Sequence, residues 1–189
     1  MIPTDWSDPL HHIGVVPTHQ RRLEYAARDG WQAASLLEVS PAAIAELTLF
    51  WLSHRPFGVL HSPERPPRIR RLQQWFGQLV RPMNAQETTT LCQTPHPRLP
   101  WRSGDYPYPL LMDRHLLDVP MLWISLGDHI FWVGLPPERL LQTTAMYLMD
   151  ISDGLWLTDT MQPEDRAKAI PIDAKATGLS QSPKSDSSP

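Results

Sequence analysis

The chain has 189 residues, 41% of them hydrophobic, and its eight tryptophans and formal net charge of −3 are typical of a folded domain rather than a disordered chain. No apolar stretch approaches the roughly 20 residues that span a bilayer, which excludes a helical membrane protein, and the N-terminus lacks the pattern of a signal peptide. Because Cys92 is the one cysteine, no internal disulfide can form, and we expect a cytoplasmic protein.

The first element in chain order is a predicted helix over residues 18–27. Thr18 is a plausible N-cap, and small and apolar residues recur behind it at helical spacing. Gly30 then either ends this helix or marks a break before residues 31–37.

Two further helices are predicted before residue 81. Ser40 as N-cap and Pro41 at the first helical position predict a helix over residues 40–53, whose apolar character places it at the centre of the core. Apolar residues at helical spacing predict an amphipathic helix over residues 67–80, with a basic face toward solvent.

Residues 81–120 contain seven prolines and little periodicity, and we predict one short strand there, near residues 88–93. Residues 121–135 predict a hairpin, because two apolar, β-rich runs flank the turn residues Gly127 and Asp128. Both faces of this hairpin are expected to be covered. A helix over residues 138–149 follows, and residues 155–157 form a candidate strand.

The predicted fold class is therefore α+β, with several short helices packed on a β-hairpin or small antiparallel sheet and with long Pro-rich connections. We expect one globular domain over residues 1–162. The polar residues 163–189 predict a disordered tail, because they cannot bury enough apolar surface to offset the entropy of ordering.

No catalytic motif is evident, and no cofactor or metal is expected. One cysteine and dispersed histidines exclude a structural zinc site, and neither Ser125 nor Cys92 has the surroundings of an activated nucleophile. An alternative is a metal-dependent enzyme around Asp113 and His115, with Asp118 and His129 nearby, since carboxylates and imidazoles hold iron or manganese. The competing interpretation is that these are ordinary surface polar residues.

Charge is unevenly distributed along the chain. Residues 55–102 hold eight arginines against two acids, and residues 105–165 hold ten acids against two arginines. A second alternative function is thus a small nucleic-acid-binding regulator that uses Arg68, Arg70, Arg71 and Trp75 on the helix over 67–80.

A partner-binding surface is the favoured prediction, because Trp, Tyr and Arg dominate binding hot spots and cluster in a Pro-rich segment. The opposing interpretation is that the aromatics pack beneath the loop. The predicted partner-binding residues are Arg70, Arg71, Trp101, Arg102, Tyr106 and Tyr108, and several of those in the Pro-rich segment are expected to be exposed.

Trp6-Ser7-Asp8-Pro9-Leu10, followed by Arg21-Arg22-Leu23 and later by Gly134-Leu135-Pro136, resembles the accessory cytosolic subunit of the bacterial type III secretion sorting platform. That family is largely helical, and the resemblance implies a non-enzymatic adaptor in a bacterial cytosolic assembly. We therefore predict a non-catalytic protein-interaction subunit. Nucleic-acid binding is the less favoured alternative. The identity of its partner, its pathway and its oligomeric state are not readable from the sequence.

Overall fold

The computed structural model describes residues 17–93, 97, 108–127, 129–144 and 146–152. Within this part the strands are β1 (His19–Arg22), β2 (Ile44–Leu52), β3 (Arg55–His61), β4 (Val80–Pro82), β5 (Leu110–Asp113), β6 (Leu122–Ser125), β7 (Phe131–Leu135) and β8 (Met146–Met149). The helices are α1 (Gly30–Leu37), α2 (Ile69–Phe76), α3 (Ala85–Cys92) and α4 (Pro137–Thr143). Two 3₁₀ turns lie at Pro41–Ala43 and Arg114–Leu117.

The described strands form one mixed sheet in the order β1-β7-β6-β2-β3-β5-β8, and β4 pairs with β2. The pairs β2–β6, β3–β5 and β5–β8 are parallel, and the other pairs are antiparallel. The α+β class predicted from the sequence is confirmed, with a larger sheet than the small one expected. None of the helices in the described ranges has the length and apolarity needed to cross a membrane.

The hairpin prediction is confirmed by β6 and β7, which pair antiparallel from Leu122–Leu135 to Ser125–Trp132. Both faces are covered as expected: Ile124 and Val133 pack in one buried cluster, whereas Trp123 and Trp132 pack in another. The connection is longer than the two-residue turn that was predicted, because the last bond between the strands runs from the backbone N–H of Leu126 to the carbonyl oxygen of Phe131 at 2.9 Å, with four residues between them.

The helix predicted over residues 40–53 is wrong beyond its first turn. Ser40 does cap a turn, since its side chain accepts from the backbone N–H of Ala42, but the turn ends at Ala43 and β2 follows. An apolar run that is buried on both faces fits a central strand as well as a core helix, and here the neighbouring strands decide. The expected central position holds, because Ile44 and Leu49 are at most 2% exposed.

Three other predicted elements differ from the structure. Residues 19–22 form the edge strand β1 instead of a helix, because they pair with β7. The strand predicted near residues 88–93 is helix α3, which begins at a capping box between Asn84 and Glu87. The helix over 138–149 ends at Thr143, and Met146–Met149 pairs with β5.

The helix predicted over residues 67–80 is confirmed in its central part as α2, and Gly30 begins helix α1 rather than ending a helix. The candidate strand at 155–157 and the polar tail over 163–189 lie outside the described residues.

Candidate functional site

A pocket of about 180 Å³ opens where the parallel strands β2 and β6 part. The two strands pair only at Ile44–Trp123 and Ala45–Ile124. On the same edge of β2, strand β4 pairs only from Phe50 onward. A gap in the ladder therefore lies between β6 and β4. We call this the β2–β6 pocket. A crevice beyond the ends of paired parallel strands is a common ligand site in open sheets.

The pocket is lined by residues from both faces of the sheet. Its apolar residues include Leu47 and Ile124, which pack in one buried cluster, and Trp132, which packs in the cluster on the other face. The polar side chains belong to Glu46, Thr48, Ser125 and His129. A volume below the roughly 300–1,000 Å³ of pockets for drug-sized molecules suits a small group with few polar atoms.

Glu46 is held in the pocket by the first residue of helix α1. The backbone N–H of Gly30 donates to Oε1 of Glu46 at 2.6 Å. The N-terminal end of a helix carries a partial positive charge, which stabilises the carboxylate there. The bond uses Oε1, so Oε2 can accept a hydrogen bond from a ligand.

Thr48 and His61 form a hydrogen-bonded pair behind the pocket surface. Oγ1 of Thr48 lies 2.8 Å from Nε2 of His61, and Nδ1 of His61 lies 2.9 Å from the carbonyl oxygen of Ser62. A carbonyl oxygen can only accept, so Nδ1 carries the proton and Nε2 accepts from the threonine hydroxyl. Burial lowers the pKa of His61. The hydrogen bond to Ser62 and the charges of Glu46 and Asp113 raise the pKa, but burial has the larger effect. The imidazole is therefore a neutral base.

His129 closes the pocket from the turn between β6 and β7. It adopts a left-handed backbone with φ of 58°, and its Nδ1 lies 3.0 Å from the carbonyl oxygen of Ala27. The Oγ of Ser125 accepts from the backbone N–H groups of Gly127 and His129, at 3.1 and 3.0 Å. These bonds fix the turn, so the His129 ring is positioned before any ligand arrives.

A second cluster of polar side chains lies at the C-terminal ends of β5 and β8. Asp113, His115 and Asp150 each offer a ligand atom, and these atoms lie within 4.8 Å of one another. Nδ1 of His115 lies 3.1 Å from Oδ2 of Asp118. The structure thus brings together Asp113, His115 and Asp118, as the metal alternative expected, whereas His129 lines the β2–β6 pocket instead.

The predicted partner-binding residues are placed as follows. Arg70 is exposed on α2, whereas Arg71 forms an ion pair with Asp150 at 3.0 Å and is largely covered. Tyr108 is only 7% exposed and packs in the core, where its hydroxyl contacts Cys92, so it does not contribute to an exposed surface. Trp101, Arg102 and Tyr106 lie outside the described residues.

Sequence reasoning missed Glu46, Thr48, His61 and Asp150. Glu46 and Thr48 were assigned to the helix predicted over residues 40–53. His61 lies beyond the end of that helix, so the sequence did not place the three side chains together. No local motif marks this set, because its members lie on β2, at the end of β3 and directly after β8, which are far apart in the sequence. Burial raises the pKa of the Cys92 thiol, which agrees with the expectation that this cysteine is not an activated nucleophile.

No known protein family and no curated protein matches the sequence. Among solved structures, "a putative trans-editing enzyme for prolyl tRNA synthetase" superposes with a TM-score of 0.69 at 18% identity, covering 82% of this chain and 100% of that chain. A hypothetical protein gives 0.68 at 20% identity, covering 78% and 98%. The neighbour "Putative signal transduction protein from MARINOBACTER AQUAEOLEI VT8" superposes with a TM-score of 0.55 at 14% identity, covering 80% of this chain and 31% of that one. At these identities the likeness shows a shared fold.

Proposed function

We propose that this protein binds the aminoacyl group of an aminoacylated RNA in the β2–β6 pocket and hydrolyses the ester bond. The Thr48–His61 pair beside Glu46 is the observation that carries the proposal. The fold shared with the trans-editing neighbour favours this substrate class. The proposal departs from the non-catalytic adaptor role, which stays a prediction.

The pocket offers complementary groups for a small amino acid. An aminoacyl ester carries an ammonium group beside its carbonyl, and the Glu46 carboxylate can accept from that group through Oε2. Trp132 also lines the pocket and can contact the side chain of the amino acid. The small volume favours a short side chain.

The Thr48–His61 pair supplies the chemistry of acyl transfer. His61 takes the proton of the Thr48 hydroxyl at Nε2, and Oγ1 attacks the ester carbonyl carbon. The bond to the RNA oxygen breaks, and the departing oxygen takes the proton from His61. Water then attacks the acyl carbon of the acyl-threonine while His61 accepts its proton at Nε2. The bond between that carbon and Oγ1 breaks, Oγ1 takes the proton back from His61, and the free amino acid leaves. Glu46 lies in register with His61 and stabilises the transient imidazolium.

Basic side chains lie on the strand next to the pocket. Arg21 is the register partner of the pocket residue Trp132, and Arg22 is that of Phe131. Both arginines are exposed on the edge strand β1. We expect these two guanidinium groups to bind phosphate groups near the end of the RNA.

The test is release of amino acids from a panel of tRNAs charged with small and large amino acids. We expect hydrolysis of one or more small aminoacyl esters, and a loss of about 100-fold or more in kcat for Thr48→Val, as befits a nucleophile with a general base. Thr89→Val is the matched control, because Thr89 is exposed on α3 and its hydroxyl donates to the carbonyl oxygen of Ala85 in its own helix. Equal rates for Thr48→Val and the parent protein would rule out this chemistry.

A further inference from the structure

We propose that Asp113, His115 and Asp150 bind one divalent transition-metal ion, with Asp118 as the residue that orients His115. This site is separate from the aminoacyl proposal and does not depend on it.

The topology of the sheet brings the three ligands together. Strands β5 and β8 run parallel, and Asp113 is the register partner of Met149 at their C-terminal ends. Asp150 directly follows β8, and His115 lies in the 3₁₀ turn that directly follows β5. The ligand atoms lie within 4.8 Å of one another, a spread that an ion with bonds of about 2.1 Å can bridge after small side-chain adjustments.

Two carboxylate oxygens in this cluster lack a hydrogen-bond partner among the residues that the structure describes. Asp113 is 1% exposed; its Oδ1 lies 3.4 and 3.5 Å from the backbone nitrogens of His115 and Ile151, and its Oδ2 is buried without a partner. Oδ1 of Asp150 is likewise buried without one. Leaving a buried carboxylate oxygen unsatisfied is costly, and a cation held between the two carboxylates removes this cost.

The local charge also favours a divalent cation. Asp113, Asp118 and Asp150 contribute three carboxylates, and Arg71 contributes one guanidinium through its contact with Oδ2 of Asp150. Among these described residues, the carboxylates exceed the guanidinium by two negative charges, which equals the charge of such an ion. Arg71 engages Oδ2, so the ion pair leaves Oδ1 of Asp150 for the metal.

Asp118 completes the arrangement from outside. Its Oδ2 lies 3.1 Å from Nδ1 of His115, and metal-ligating histidines usually have their other ring nitrogen held by a carboxylate or carbonyl. Two carboxylates with one imidazole suit Mn²⁺, Zn²⁺ or Fe²⁺ better than Ca²⁺, which prefers oxygen ligands alone. His115 and Asp150 have side chains that are 25% and 20% exposed, so an ion can enter from solvent.

The test is isothermal titration of the EDTA-treated, desalted full chain with MnCl₂ and, separately, with ZnCl₂. We expect saturable binding of one ion per chain and a rise in the midpoint of thermal unfolding with each metal. His115→Ala should weaken binding at least 10-fold, and Asp118→Asn about 10- to 100-fold. Glu38→Gln is the control, because Glu38 is an exposed acid at the end of α1.

Because Asp113 is buried, a loss of binding in Asp113→Asn could reflect misfolding. His115→Ala is therefore measured beside it, since the His115 side chain is partly exposed and its removal should leave the fold intact. Far-ultraviolet circular dichroism verifies folding of each variant. Absence of saturable binding of both metals to the parent chain would overturn the proposal. Unchanged affinity in a folded His115→Ala variant would do so as well, since it would place the ion elsewhere.

Discussion

The backbone N–H of Gly30 donates to Oε1 of Glu46 at 2.6 Å, and a Cβ added to residue 30 would lie 2.6 Å from the same oxygen. A Cβ at residue 30 would therefore require the Glu46 side chain to shift. Gly30 thereby fixes where the pocket carboxylate can lie.

This contact predicts that Gly30→Ala displaces the Glu46 side chain without unfolding the protein. Alanine is a better helix former than glycine, so the cost in stability is offset within α1. We expect the KM for aminoacyl-RNA to rise about 10-fold, the loss of roughly one charge-assisted hydrogen bond. Steady-state kinetics check this, with Ser35→Ala on the exposed face of α1 as control. An unchanged KM would mean that Glu46 does not contact the substrate.

His61 predicts a dependence of stability on pH. Burial lowers its pKa below the ordinary 6.5, so just below pH 6.5 the unfolded chain binds a proton more readily than the folded one. The contribution of neutral His61 to the free energy of unfolding is therefore complete above about pH 6.5 and is lost as the pH falls toward the lowered pKa, by about 1.4 kcal/mol per unit of pKa difference.

Urea unfolding between about pH 7 and pH 5 measures this effect, and His61→Gln should show a shallower loss of stability than the parent chain. Glu46 and Asp113 are the charged groups that act on His61, so Glu46→Gln is tested beside it. Identical slopes for the parent chain and His61→Gln would contradict a neutral, buried His61.

Arg21 and Arg22 should affect substrate binding rather than the chemical step. Both are exposed on β1, and neither contacts the Thr48–His61 pair in the described structure. Replacing both by alanine should raise KM several-fold at low salt with little change in kcat, and the difference should shrink as salt increases. Kinetics at two ionic strengths provide the measurement, and Arg55→Ala, exposed on the distant end of β3, is the control. A fall in kcat alone would argue against phosphate binding at β1.

Gly58 in β3 predicts a packing defect when it is replaced. A Cβ there would lie 2.6 Å from Cδ2 of Leu110 and 3.0 Å from Cδ1 of Leu47. Gly58→Ala should lower the free energy of unfolding by about 1–3 kcal/mol, the usual cost of overpacking. Chemical denaturation checks this against Gly77→Asn, where the space around Cβ is open and asparagine tolerates the φ of 61°. Equal losses in the two variants would show that packing at Gly58 is not the cause.

Several elements were readable because their signal is local. The apolar runs of β6 and β7 are too short for a helix of ordinary length. Helix α2 has an apolar face opposite a basic face. The adaptor role and its exposed aromatic surface remain predictions for Trp101, Arg102 and Tyr106, whereas Tyr108 is buried.

The sequence by itself determined the α+β class, the hairpin of β6 and β7 and the amphipathic helix α2, whereas a metal site at Asp113 and His115 was only an alternative that stays a prediction. These follow from periodicity and from spacing of a few residues, which short-range geometry fixes. Only the tertiary structure decided that residues 44–52 form the central strand, that Thr48 meets His61, and that Asp150 joins Asp113. Each of these depends on which strands lie side by side, and strand partners are chosen by burial across the whole sheet, not by the residues of one segment.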